Sequence, residues 1–261
     1  LSDAAADPEV LSRLYLDAVL PCLAALTATD AEARSLVGTA SGSIVLKIFR
    51  GPAATISLQP GAARWSQGAA RGASVVLLFA GERHLNAFFS GRQWAVPIPV
   101  WGGWRIALLR RFAALAARLE AVMDGHAAVV SCAAGRALHA RLSLIAAVLG
   151  LGPLAAGDIA ARQILRSLPP GLAAFQIRGD PESSVWFEHG ATRCMAGRGA
   201  PPHPADVCVA FDGPETAYAA MREEIDTFAA VGAGRIAVEG LVPLADGLNF
   251  AMERLRVYLQ T

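Results

Sequence analysis

Lysine is almost absent: Lys47 stands alone, and arginine supplies the other basic residues. Charge of either sign is scarce, at 17% of residues, and nearly cancels to a formal +1. A chain so balanced has no global field to draw it to nucleic acid. Hydrophobic residues reach 54%, which excludes a disordered chain and leaves little polar surface to cover an apolar interior. Internal cavities or a large interface would use that excess. Cysteine is sparse too: Cys22, Cys132, Cys194 and Cys208 lie far apart, unlike the dense framework of a secreted mini-protein. Reduced thiols in a cytoplasmic compartment are expected. No charged-then-apolar leader opens the sequence. The longest apolar run, Leu142 to Ala156, is interrupted by Gly150, Gly152 and Pro153 and falls short of the roughly 18 to 20 residues of a bilayer span. It reads as a buried helix and a turn.

Catalytic signatures are equally thin. There is no Gly-x-Ser-x-Gly elbow, no phosphate loop ending in Gly-Lys-Ser/Thr and no His-Glu-x-x-His helix. Gly150-Leu151-Gly152 runs into Pro153, and Gly232-Ala233-Gly234 precedes a strand pattern, so neither behaves as a dinucleotide fingerprint. No cofactor is implied. His189, Cys194, His203 and Cys208 lack the paired spacing of a zinc site, and no metal is expected. Glu239 and Asp246 flank the last strand pattern, where a buried carboxylate would serve as a general base, although solvated turn residues fit the same positions.

What the chain does contain is a repeated order of elements. Asp7-Pro8 supplies a cap and a first-turn proline for a helix towards Leu26, with Pro21 as a kink. Thr29 and Glu32 have capping-box spacing for a second helix that ends at Gly38. Strand patterns follow at Ile44–Phe49, Ala54–Leu58, Arg64–Gln67 and Val75–Phe79, then a helix at Glu82–Ser90. Trp94–Val100 reads as extended, and its prolines place it at a sheet edge. A helix from Arg105 to Val122 closes the first half.

The same order returns with helices at Ala137–Leu149 and Asp158–Leu168, then strands at Leu172–Ile177, Val185–Glu188, Thr192–Met195 and Val207–Phe211. A helix over Pro214–Asp226, an extended Arg235–Glu239 and a closing helix around Leu248, Met252, Leu255 and Leu259 complete it. Turns echo as well. Arg50-Gly51-Pro52 answers Arg178-Gly179-Asp180-Pro181, and Phe79-Ala80-Gly81 answers Phe211-Asp212-Gly213. These patterns predict an α+β fold of two units, 1–128 and 129–261, each a small, mostly antiparallel sheet packed against helices.

Helices first, then a strand meander, a helix, a last strand and a C-terminal helix is an order that resembles the sterol carrier protein (sterol-transfer) domain. In that family a helix leads into a Phe-Phe-x-Gly-Lys/Arg turn, a strand and a helix lining a lipid cavity. The first half has Phe88-Phe89-Ser90-Gly91-Arg92, and the second has Gly234-Arg235-Ile236-Ala237-Val238-Glu239-Gly240. The resemblance implies two tandem diverged units that bind or transfer an apolar, lipid-like ligand without a catalytic group. Ten buried methylenes at about 0.8 kcal/mol each offer about 8 kcal/mol before ordering costs.

Candidate lining residues in the second unit are Phe211, Met221, Ile225, Phe228, Ile236, Val238, Leu248 and Met252. In the first they are Phe79, Phe88, Phe89, Trp94, Val96, Ile98 and Phe112. An ordinary packed core would use the same residues. Two further readings stay open: an enzyme acting on an apolar substrate in the same cavity, and a structural module whose cavities have collapsed. Ligand identity and oligomeric state are not encoded in the motifs.

One stretch is distinct electrostatically. Between Glu82 and Arg118 six arginines face one acidic residue, with Trp94, Trp101 and Trp104 among them. Arginine beside tryptophan suits an anionic membrane surface, with Arg110, Arg111, Trp101 and Trp104 as docking candidates. A solvated helix face with core tryptophans is the alternative.

Overall fold

The computed structural model describes residues 7–190 and 193–259. Residues 7–120, with Tyr258 and Leu259, belong to one compact unit, and the described residues of 121–257 form a second. The fold is mixed α+β, with two five-stranded sheets, each packed against helices.

In the first unit α1 (Pro8–Leu14) begins where the Asp7 carboxylate accepts from the Glu9 amide. The expected kink is a π turn at Tyr15–Val19, followed by α2 (Cys22–Thr29). Pro21 has no N–H to return to the carbonyl four residues back, and the neighbouring Leu20 amide donates instead to Tyr15, five residues back, at 3.0 Å. Asp30, not Thr29, caps α3 (Ala31–Val37), accepting from the amides of Glu32 and Ala33. The Thr29 hydroxyl is turned back to the Ala25 carbonyl, still within α2.

The sheet contains β1 (Gly42–Ile48), β2 (Ala53–Gln59), β3 (Ala62–Gln67), β4 (Val75–Phe79) and β5 (Ile98–Trp101), with α4 (Glu82–Phe89) before β5 in the chain and α5 (Ile106–Met123) after it. Strand order is β3-β2-β1-β4-β5, with β1 and β4 parallel and the remaining pairs antiparallel. β5 lies at the edge, as Pro99 requires. It is shorter than the extended stretch expected from Trp94, because Trp94 and Ala95 belong to a turn in which the Ala95 amide donates to Arg92.

The second unit opens with α6 (Ala127–Val130) and α7 (Ala133–Gly157). The expected turn at Gly150–Pro153 is absent: α7 runs through Pro153 to Gly157. Proline in a helix interior costs about 3 kcal/mol, and the packing of α7 on β7, β8 and α9 offsets that cost, with Leu151, Pro153 and Leu154 all buried. Two helical stretches, Pro8–Thr29 and Ala133–Gly157, are long and apolar enough to cross a membrane by length and composition, and both are mostly buried in the fold.

After α8 (Ile159–Arg166), capped by Asp158, come β6 (Gly171–Ile177), β7 (Asp180–His189), β8 (Cys194–Arg198) and β9 (Val207–Phe211). Thr192, expected to open β8, lies outside the described residues. The helix expected over Pro214–Asp226 is two: α9 (Pro214–Met221) and α10 (Thr227–Gly232), because Asp226 is an N-cap that accepts from the amides of Phe228 and Ala229. β10 (Ile236–Gly240) and α11 (Val242–Leu259), up to its residue Val257, complete the unit.

Its sheet order is β10-β9-β6-β7-β8, with β6 and β9 parallel. Substituting β6 for β1 and continuing in sequence reproduces the connectivity of the first sheet. The likeness extends to single bonds. The Phe49 amide donates to Phe79 and the Arg178 amide to Phe211, each at 2.9 Å. The Gly68 amide donates to Ala53 and the Gly199 amide to Ser184, each at 2.8 Å. Each sheet buries a branched and aromatic face: Ile44, Leu46, Ile56 and Phe79 in one, and Leu172, Phe175, Phe187 and Val207 in the other.

Candidate functional site

The Phe-Phe-x-Gly-Arg segment is a helix-ending turn. In it the Gly91 amide donates to Phe88 and the Arg92 amide to Ala87, with Gly91 at φ +69°. That is a Schellman motif, and its left-handed position favours glycine. The second unit closes α10 in the same way: Gly234, at φ +73°, donates to Val231, and Arg235 donates to Ala230. The Arg235 carbonyl then accepts from Asp212, and the chain enters β10 at once. In the first unit residues 93–97 intervene before β5.

The double phenylalanine sits in a run of aromatic contacts. Trp94 stacks on His84 at 6.2 Å, and His84 meets Phe79 edge-on at 5.5 Å. Phe79 meets Phe88 at 5.4 Å, Phe88 meets Phe89 at 5.5 Å, and Phe89 stacks on Tyr15 at 4.6 Å. The run crosses from an exposed tryptophan to the π turn. Tyr15 and His84 were not among the sequence candidates; the only local hint was an aromatic residue six places before Pro21 and a histidine on the α4 face.

Burial separates the lining candidates into three groups. Phe79, Phe112, Phe211, Ile236 and Leu248 are buried. Phe88, Phe89, Met221, Ile225, Val238 and Met252 are half-buried. Trp94, Val96, Ile98 and Phe228 are exposed, Phe228 to 80%. The second unit also leaves Val231 on α10 and Val242 and Phe250 on α11 uncovered. Two surface depressions in the first unit have other linings. One of about 270 Å³ is bounded by Ala40, Ser41, Arg105, Ala107, Leu108 and Arg111; another of about 420 Å³ is bounded by Asp7, Pro8, Glu9, Gly81, Glu82 and Arg83.

The π turn also carries Asp17, whose carboxyl is pushed up to about 6 by burial, with Arg13 opposing the shift. Burial raises the Tyr15 hydroxyl likewise. Tyr15, at which the aromatic run ends, and Asp17 both belong to this turn.

The basic segment divides by role. The Arg111 guanidinium donates to the carbonyls of Leu36 and Val37 at 3.2 and 3.0 Å and so satisfies the end of α3. Arg118 pairs with Asp30 and Glu32. Arg92, Arg105 and Arg110 are exposed, as are Trp101 and Trp104, whose rings meet edge-on at 5.2 Å.

Cys194 Sγ lies 3.6 Å from His189 Nδ1, but burial pushes the thiol upward, the opposite of an activated thiolate. His203 turns instead to Glu188 at 3.2 Å, and this contact raises its pKa. Among the described residues no three His, Cys, Asp or Glu side chains gather as metal ligands. Glu239 and Asp246 are both exposed.

No family model matches the sequence. No curated protein matches it either. Among solved structures, the sterol carrier protein domain 2 of Helicoverpa armigera matches 44% of this chain over 88% of its own length, with 13% identity and a TM-score of 0.34. The apo form of sterol carrier protein 2 from Yarrowia lipolytica matches 41% of this chain over 90% of its own, with 16% identity and a TM-score of 0.31. Both bear the sterol carrier name. Each match takes less than half of this chain and most of the other.

Proposed function

We propose that the chain is a tandem pair of diverged sterol-carrier-like units, divided near 128 and 129, that binds or transfers an apolar, lipid-like ligand. The observation that carries the reading is the Phe88-Phe89-Ser90-Gly91-Arg92 turn. It has the geometry a helix needs to hand the chain to a last strand and closing helix, and the same Schellman turn recurs at Gly234-Arg235 before β10 and α11. Identical sheet connectivity in the two units supports the tandem arrangement. The half-buried Phe88, Phe89, Met221, Ile225, Val238 and Met252 are the lining the reading favours, since a ligand can complete their burial at about 25 cal/mol per Å². The four free cysteines suit a reducing, cytoplasmic compartment.

Met221→Trp tests this assignment in the second unit. A larger side chain in the groove should weaken binding of a fluorescent fatty acid by about tenfold or more while the fold is retained, the loss of two buried methylenes. Unchanged affinity in the folded variant would remove Met221 from the lining.

A further inference from the structure

We propose that the first unit docks onto an anionic lipid bilayer through the corner formed by β5 and the start of α5. All four residues of β5 are exposed. Trp94, Trp101 and Trp104 are 68%, 58% and 69% exposed, and Val96, Ile98 and Ile106 are uncovered beside them in sequence. So much apolar surface in one short stretch marks an interaction site.

The fold does not demand these residues. In the first sheet Val76, second in β4, pairs with Trp101; in the second sheet Cys208, second in β9, pairs with Glu239. One position of a shared architecture holds a tryptophan in one unit and a carboxylate in the other. The 93–97 stretch, which brings Trp94 and Val96, has no counterpart between Arg235 and Ile236.

Charge selects the occupant. No acidic residue occurs between 83 and 119, and Arg92, Arg105 and Arg110 are exposed in the same stretch as the tryptophans. Indoles at headgroup depth with guanidiniums on phosphate are the chemistry of an anionic lipid surface. A second copy of the chain added edge-to-edge is disfavoured, because β5 is an edge strand of only four residues with Pro99 inside it. Arg111 and Arg118 take no part, as each is held within the unit. The inference is independent of what the protein carries.

Co-sedimentation of the full chain with vesicles tests it, comparing phosphatidylcholine mixed with phosphatidylglycerol against phosphatidylcholine alone. Binding should require the anionic lipid and fall with salt, as the Debye length shrinks from about 10 Å at 0.1 M to about 3 Å at 1 M. Arg105→Ala with Arg110→Ala should weaken it by up to about 30-fold, from about 1 kcal/mol per basic residue. Trp101→Glu, which installs the residue found at the matching position, should abolish it with the melting temperature unchanged. Brominated lipids should quench the tryptophan fluorescence of the parent protein, a readout that needs no variant. Binding indifferent to lipid charge and salt, a Trp101→Glu protein that sediments like the parent, or a parental dimer that Trp101→Glu dissociates would overturn the proposal.

Discussion

Arg118 donates to Asp30 at 2.9 Å, so a helix beyond the sheet grips the aspartate that caps the helix before it. The second unit repeats the arrangement on different residues: Arg254 of α11 donates to Asp158 at 3.0 Å, and Asp158 caps α8. The recurrence of a long-range ion pair on an N-cap is harder to produce by chance than a repeated turn, since it couples three elements in each unit.

Removing either arginine takes a charged donor away from a largely buried carboxylate. Arg118→Ala and Arg254→Ala should each destabilise the protein by about 2 kcal/mol, the range for hydrogen bonds to charged groups. Denaturant melts of the two variants should show similar losses, and Arg13→Ala, whose partner Glu9 is exposed, should lose less than about 0.5 kcal/mol.

Asp17 makes stability depend on pH. Its folded pKa, about 6, lies above the ordinary carboxylate value because burial disfavours the charged form. Between about 4 and 6 the folded state binds the extra proton, so this contribution to stability falls as pH rises and levels off above 6. Asp17→Asn should therefore be more stable than the parent above pH 7, by at most about 3 kcal/mol. The difference should vanish below pH 4, as melts across that range would show.

Gly102 directly follows β5 and Gly240 ends β10, with φ of +71° and +104°. A Cβ at either would run into backbone, the Ser74 carbonyl in one unit and the Asp206 carbonyl in the other. Gly102→Ala and Gly240→Ala should each cost about 3 kcal/mol. Gly61→Ala, with φ +69° and open space around it, should cost only the conformational term of about 1 kcal/mol. Chemical denaturation of the three variants measures the contrast.

Most of the strand order was legible because glycine and proline punctuate it. Val75–Phe79 and Val207–Phe211 begin and end where the apolar runs do. What was not legible depends on partners distant in sequence. Asp30 displaces Thr29 as a cap through backbone geometry that Thr29–Glu32 spacing does not encode. Pro153 stays helical because of what α7 packs against. The turn echo is off by one residue: Phe49, not Arg50, takes the bonding role of Arg178, and Arg50 adopts φ +56° where Gly179 has φ +79°. At the candidate site, the Gly91 turn could be read from its motif. The aromatic run from Trp94 to Tyr15 and the capture of Arg111 by α3 could not, since both are contacts across the fold.

Lipid binding itself is tested most directly by native mass spectrometry of the purified full chain, with organic extraction of whatever it carries. The account predicts a discrete added mass that extraction identifies as an apolar molecule, released when the protein unfolds and unchanged chemically by incubation. A chain that stays at its bare mass, and remains so after incubation with fatty acids and sterols, would contradict it.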